Sequence, residues 1–119
     1  MYPADLRYTE DHEWIRIDKD DEATVGITQH ATDELGEVVF VDLFQAGSQV
    51  AQMEEFGSVE SVKTVSSLFL PLTAEIIEVN PSVIENPALI NESPYDDGWL
   101  VRVRFSDRKE IEDLMTQEE

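Results

Sequence analysis

The sequence predicts a mainly β protein of two small sheets, with a short internal helix and a C-terminal helix. Three observations carry that expectation. Apolar and polar residues alternate through His12-Glu-Trp-Ile-Arg-Ile17 and Trp99-Leu-Val-Arg-Val-Arg-Phe105, the period of a half-buried strand. Branched and aromatic residues crowd Glu37-Val-Val-Phe-Val-Asp-Leu43 and Glu75-Ile-Ile-Glu-Val79, a composition that suits pleated surfaces. Gly36-Glu-Val-Val-Phe-Val41 and Ala74-Glu-Ile-Ile-Glu-Val79 share one pattern 38 positions apart, so the two halves should build similar sheets. A chain of 119 residues is read as one domain, 1–119, with a modest core.

The elements follow in order. After the first strand, Asp18-Lys-Asp-Asp-Glu22 is a polar turn and Ala23-Thr-Val-Gly-Ile27 its hairpin partner. Thr28 can cap a helix over Gln29–Leu35 that Gly36 closes, with Ala31 and Leu35 on one side, His30 and Glu34 on another. The strand Glu37–Leu43 comes next, and Gly47 marks a turn before Val50. In Gly57-Ser-Val-Glu-Ser-Val-Lys-Thr-Val-Ser-Ser67 the valines at 59, 62 and 65 have helical spacing. Branched β-carbons and hydroxyls nevertheless disfavour a helix, so the stretch reads as strand, turn, strand. Ser61–Thr64 form the turn, and Lys63 projects from its tip between the two sheet halves. Leu68-Phe-Leu-Pro71 and Glu75–Val79 are further strands. Asn80 to Pro94, with three prolines and three asparagines, reads as a loop. Trp99–Phe105 is the last strand, and Ser106 caps a C-terminal helix with Ile111, Leu114 and Met115 on its apolar side.

Charge excludes several functions. Eight basic residues against 27 acidic ones give a net charge of −19, which repels nucleic acid and anionic lipid. That balance suits transient docking on basic patches of other proteins. The absence of cysteine removes a disulfide framework, a thiol nucleophile and thiolate metal sites. Two histidines without metal-binding spacing give a metal little support. No membrane span or leader is visible, and cytoplasm is the expected compartment.

Lys63 is one of three lysines. An exposed turn lysine usually serves solubility and adds a few tenths of a kcal/mol to stability. On a rigid hairpin among small residues, it is also the target that a lysine-acylating enzyme needs.

That stretch resembles the lipoyl-attachment segment of glycine cleavage system H proteins. The likeness continues through Tyr8-Thr-Glu-Asp-His-Glu-Trp14, Val25-Gly-Ile-Thr-Gln-His-Ala31, Leu35-Gly-Glu-Val-Val-Phe-Val41, Glu75-Ile-Ile-Glu-Val-Asn80, Leu89-Ile-Asn91 and Ser93-Pro-Tyr-Asp-Asp-Gly-Trp99. The resemblance implies a barrel-sandwich hybrid of the lipoyl-domain type and a carrier without catalysis of its own. Lipoate would be bound covalently to Lys63. It implies a monomer that meets a glycine decarboxylase (P protein), an aminomethyltransferase (T protein), dihydrolipoyl dehydrogenase (L protein) and a lipoyl-attaching enzyme. It also places Glu13 and His30 beside the cleft where the arm rests.

Biotin domains usually frame their lysine with methionines, whereas Lys63 stands between Val62 and Thr64, so lipoate is favoured. Ser66-Ser-Leu68 weakly resembles the serine motif of acyl carrier proteins, but those are helical. Two alternatives stay open: an H-like lipoyl carrier of another pathway, in sulfur oxidation or lipoyl relay, and an unmodified binding module. Three positions depart from the family pattern. Met53 and Ala74 stand where turn glycines are usual, and Ser67 replaces a frequent aspartate. If Ala74 needed a positive φ it would cost roughly 1 kcal/mol.

Overall fold

The computed structural model describes residues 6–9, 12–18, 21–106 and 109–112. Among these described residues, nine strands form two antiparallel sheets. The larger sheet contains β1 (Arg7–Tyr8), β2 (Glu13–Ile17), β3 (Glu22–Ile27), β5 (Gln49–Val50), β8 (Ala74–Val79) and β9 (Val101–Phe105), in the order β1-β2-β3-β9-β8-β5. The smaller contains β4 (Val38–Leu43), β6 (Glu55–Ser61) and β7 (Val65–Phe69), in the order β4-β6-β7. The expected mainly β architecture is therefore present. The echoing segments fall as β4 in one sheet and β8 in the other. The sheets are unequal, however, and the hairpin bearing Lys63 lies wholly within the smaller one, not between the two.

One apolar core runs between the sheets. Val25, Ile27, Val101 and Val103 of the larger meet Val41, Val59 and Leu68 of the smaller. A satellite cluster on the other face of β1 and β2 gathers Leu6, Tyr8 and Trp14 with Tyr95 and Trp99. Successive residues of a strand point to opposite faces, so Trp14 enters the satellite while Ile15 enters the main core. Gly26 permits this, because a Cβ there would stand 2.6 Å from the Trp14 indole.

Helix α1 (Gln29–Leu35) forms as expected: the Thr28 hydroxyl accepts from the Ala31 N–H at 3.2 Å, and Gly36, at φ 79°, closes the helix. Ala31 and Leu35 pack on the core.

The reading of 80–94 as a loop is corrected by α2 (Pro81–Glu85) and α3 (Ala88–Glu92). Asn80 caps α2 and Pro81 stands in its first turn, where proline lacks only an N–H with no helical partner. Asn80 Nδ2 also donates to the carbonyls of Asp97 and Trp99, which holds the segment to β9. Leu68–Pro71 is no separate strand, since Leu68 and Phe69 end β7. The two-residue strands β1 and β5 are too short for periodicity to reveal.

Of the C-terminal helix, α4 (Lys109–Glu112) is described, and the Glu110 carboxylate accepts from the Thr73 N–H at 2.8 Å and its hydroxyl at 2.9 Å. Leu114, Met115 and the Ile111 side chain lie outside the described residues. Among those described, no helix is long and apolar enough to cross a membrane.

Candidate functional site

Lys63 sits in the turn between β6 and β7, and the turn is knotted by Ser61. The buried Ser61 hydroxyl accepts from the backbone N–H groups of Lys63 (3.2 Å) and Thr64 (3.1 Å) and donates to the Thr64 carbonyl (3.2 Å). The Ser61 N–H reaches the same carbonyl at 2.8 Å, and the Val62 N–H donates to the Glu37 carbonyl at 3.1 Å. A short hydroxyl side chain thereby replaces the backbone pairing that a tight turn forgoes. Sequence reasoning put Ser61 in the turn but gave it no role. Its signal is a hydroxyl two residues before the lysine.

The exposed Lys63 side chain lies along Gly36, the residue that closes α1. Its Cε is 3.3 Å from the point a Cβ on Gly36 would occupy. Asn91 of α3 secures that platform: its Nδ2 donates to the Gly36 carbonyl at 2.8 Å, and its Oδ1 accepts from the Val38 N–H at 2.9 Å. The lysine amine enters no ion pair with a described residue.

Beside this turn opens a cleft of about 260 Å³, bounded by Ala31, Glu34 and Leu35 of α1, by Thr64 to Leu68 of β7 and its turn, and by His12 and Glu13. Ser67, in a position where family members often carry aspartate, contributes a hydroxyl to the wall.

Glu13 is 1 % exposed. It shares the core face of β2 with Ile15 and is fixed from two sides. Its Oε1 accepts from the Thr9 hydroxyl at 2.9 Å, and its Oε2 accepts from the Phe69 N–H at 2.8 Å. Phe69 ends β7, an edge strand of the smaller sheet, so this one carboxylate ties the two sheets together at the cleft floor.

His30 stands one ring back and is not among the residues lining the cleft. Its ring packs against His12 with centroids 4.1 Å apart and the planes tilted by 38°, and its Nε2 lies 2.9 Å from Glu34 Oε1. The imidazole that meets the cleft is His12, held at φ 65° by hydrogen bonds to Thr9 and Thr28. A non-glycine residue in the left-handed region at a cleft edge is a common mark of function. A backbone angle leaves no trace in the sequence, so His12 went unread.

A small β sandwich that displays one lysine at a hairpin tip, above a narrow cleft, defines a carrier domain more than an enzyme. The chain belongs to the glycine cleavage H-protein family, whose model matches residues 6–119. Such proteins are the lipoyl-carrying component of glycine cleavage and are not themselves catalytic. Glycine cleavage system H protein of Rubrobacter xylanophilus is 54 % identical over 117 residues, covering 98 % of this chain and 90 % of that one. The H protein of Halothermothrix orenii is 49 % identical over the same length, covering 98 % and 91 %. In structure, the chain is similar to a crystallised glycine cleavage system H protein from Mycobacterium marinum. That likeness has a TM-score of 0.87 and 40 % identity, and covers 98 % of this chain and 94 % of that one.

Proposed function

We propose that Lys63 is the residue that carries lipoate, through an amide to its amine. The observation that carries this reading is the rigid turn: an exposed lysine, backed by Ser61 and seated on Gly36, stands next to Thr64, which lines a cleft. The fit is good, because Thr64 and Ser66 are small enough to leave the amine accessible, and the cleft is narrow enough to take a slender arm. When bound, lipoate would supply a disulfide whose reductive cleavage takes up an aminomethyl group as the P protein releases CO2 from glycine; transfer to the T protein would leave a dithiol for the L protein to reoxidise.

The chain's own residues present, shelter and release. The turn sets where the arm leaves the protein. Tethering replaces diffusion between active sites with visits at high effective concentration. Glu13 places a carboxylate on the cleft floor, where it attracts an amine cation, and the walls of α1 and β7 exclude water from it. His30 acts through the His12 ring against which it packs. The protein works as one domain and a monomer between visits, and the compartment that suits a dithiol arm is the reducing cytoplasm.

The test is peptide mapping after incubation with a lipoyl-attaching enzyme. The modification is expected on Lys63 alone, with the formal charge of −19 made more negative by one as a cation becomes a neutral amide. Lys63→Arg should abolish both modification and glycine–bicarbonate exchange with P protein. Modification retained in Lys63→Ala would overturn the assignment.

A further inference from the structure

The smaller sheet turns an apolar face to solvent right beside Lys63, and a defect in the sheet makes it. The β4–β6 register slips between Val38 and Phe40, so two consecutive apolar residues leave the core. Val39 is 45 % exposed and Phe40 57 %. Across the sheet Phe40 pairs with Glu60, and Glu60 pairs with Val65, which is 63 % exposed. Val62, next to the lysine, is 67 % exposed, and its N–H is bonded to Glu37 at the start of β4.

Folding alone does not call for this arrangement. A bulge disrupts the ladder locally and re-aims side chains, and bulges concentrate at functional sites. A contiguous exposed apolar patch marks an interaction surface. This one has a specific chemistry: a single carboxylate, Glu60, flanked in its row by an aromatic ring and a valine, with Glu37 exposed at the edge.

We infer that this face docks the enzyme that acylates Lys63, and that the enzyme meets it with an apolar mouth holding one cation, an arginine by preference. A guanidinium can pair with the Glu60 carboxylate while lying over the Phe40 ring, a combination open to arginine more than to lysine. The surrounding negative charge steers such a partner in, and the apolar residues hold it. The occupant follows from distance. Enzymes that act on the arm's far end meet it an arm's length from this turn, whereas an acylating enzyme must bring its reacting carbonyl to the amine itself. Val62 precedes that lysine, Val65 follows it two residues on and Phe40 shares its sheet, so they stand where such a mouth must close.

The inference rests on Lys63 being the acylated residue, and the test keeps the two apart. Full-length apo protein is titrated against a purified lipoyl-attaching enzyme, and both the Kd of the apo complex and the steady-state acylation constants are measured. Phe40→Ser should raise Kd and KM about tenfold, the scale of an interface anchor, with kcat unchanged. Met53→Ser removes another exposed apolar side chain, 44 % exposed, at the opposite end of the hairpin and should change neither. Glu60→Gln should flatten the salt dependence of KM. Unfolding temperatures within a degree or two of wild type confirm that the variants are folded.

Unchanged Kd and KM in folded Phe40→Ser would overturn the inference. So would an equal loss of P-protein affinity in the same variant once loaded with excess enzyme, which would make the face a general dock. Concentration-dependent self-association abolished by Phe40→Ser would give the face to a second copy instead. Acylation of the wild type at another lysine would overturn the carrier reading as well. That failure is read from the peptide map and not from KM.

Discussion

Lys63, in the turn beside the cleft, and Glu13, in the cleft's lining, are held in opposite ways. Lys63 is exposed, and its turn is fixed chiefly by bonds among Ser61, Lys63 and Thr64, with one longer tie from the Val62 N–H to the Glu37 carbonyl. Glu13 is buried, and its bonds run to a different strand of a different sheet. The first arrangement fixes where a side chain starts and leaves its end free. The second fixes a charge and, with it, the spacing of two sheets. A carrier needs both: a tether that swings and a floor that does not move. The contrast also says where damage should appear. A change at Glu13 should reach the whole fold, and a change at the turn should remain local.

The largest effect is expected from Glu13→Ala. The Phe69 N–H loses its partner and a buried space opens, at a cost of about 2–3 kcal/mol. Thermal unfolding should fall by roughly 10 °C on that account. Ammonia release from the loaded protein without T protein should quicken about tenfold as the carboxylate facing the amine is lost. Glu13→Gln separates the two roles. Its amide oxygen can still accept from Phe69, so stability should largely return, while the faster ammonia release stays. His30→Ala should show a smaller acceleration of the same sign, because its ring reaches the cleft only through His12. Ammonia release from Glu13→Gln at the wild-type rate would leave Glu13 as a structural tie and nothing more.

What could be read from the sequence divides along the same line. Elements decided by neighbouring residues were legible: α1 from Thr28 and Gly36, the β2–β3 hairpin, and the Lys63 turn from its valines and hydroxyls. Elements decided by distant pairing were not. The helices within 80–94 escaped because Pro81 and Pro87 read as breakers, although proline is favoured where a helix begins. Glu13 was legible as a cleft residue through family resemblance alone. Its bond to Phe69 depends on two sheets meeting, which no local pattern encodes. The bulge that exposes Phe40 depends on register, and composition alone makes Glu37–Leu43 an ordinary strand. The departures from the family glycines also needed the structure to decide them. Among the described residues, only His12 and Met53 are non-glycine residues with positive φ, so Ala74 bears no such strain.

Ser61→Ala should give a smaller effect, confined to the turn. Two backbone N–H groups lose their acceptor, but both belong to exposed residues that solvent can reach, so the cost is about 1 kcal/mol. Acylation of Lys63 should slow a few-fold because the lysine must be ordered afresh at each encounter. Ser61→Thr, which keeps the hydroxyl, should restore the rate. Ammonia release should remain at the wild-type value, since the cleft floor is untouched. If release quickened as much as in Glu13→Ala, turn and floor would be one unit and the contrast between them would fail.

The smallest effect should come from Met53→Gly, and its sign is opposite. Met53 has φ 65°, the same left-handed angle as His12. A side chain in that region costs roughly 1–2 kcal/mol, which glycine avoids. Glycine in turn adds unfolded-chain entropy worth about 0.4–1 kcal/mol. Met53 is half exposed, so little burial is lost. The balance is a gain of about 0.5–1 kcal/mol, or roughly 2–4 °C in unfolding temperature. Acylation and ammonia release should be unchanged, because the turn before β6 lies at the far end of the hairpin from Lys63. His12→Gly relieves the same strain but removes a ring that lines the cleft and packs against His30, so any gain in stability should come with faster ammonia release. The two substitutions share one backbone chemistry and differ only in what the side chain faces. Equal behaviour in both assays would mean that the strain at His12 is as incidental as the strain at Met53.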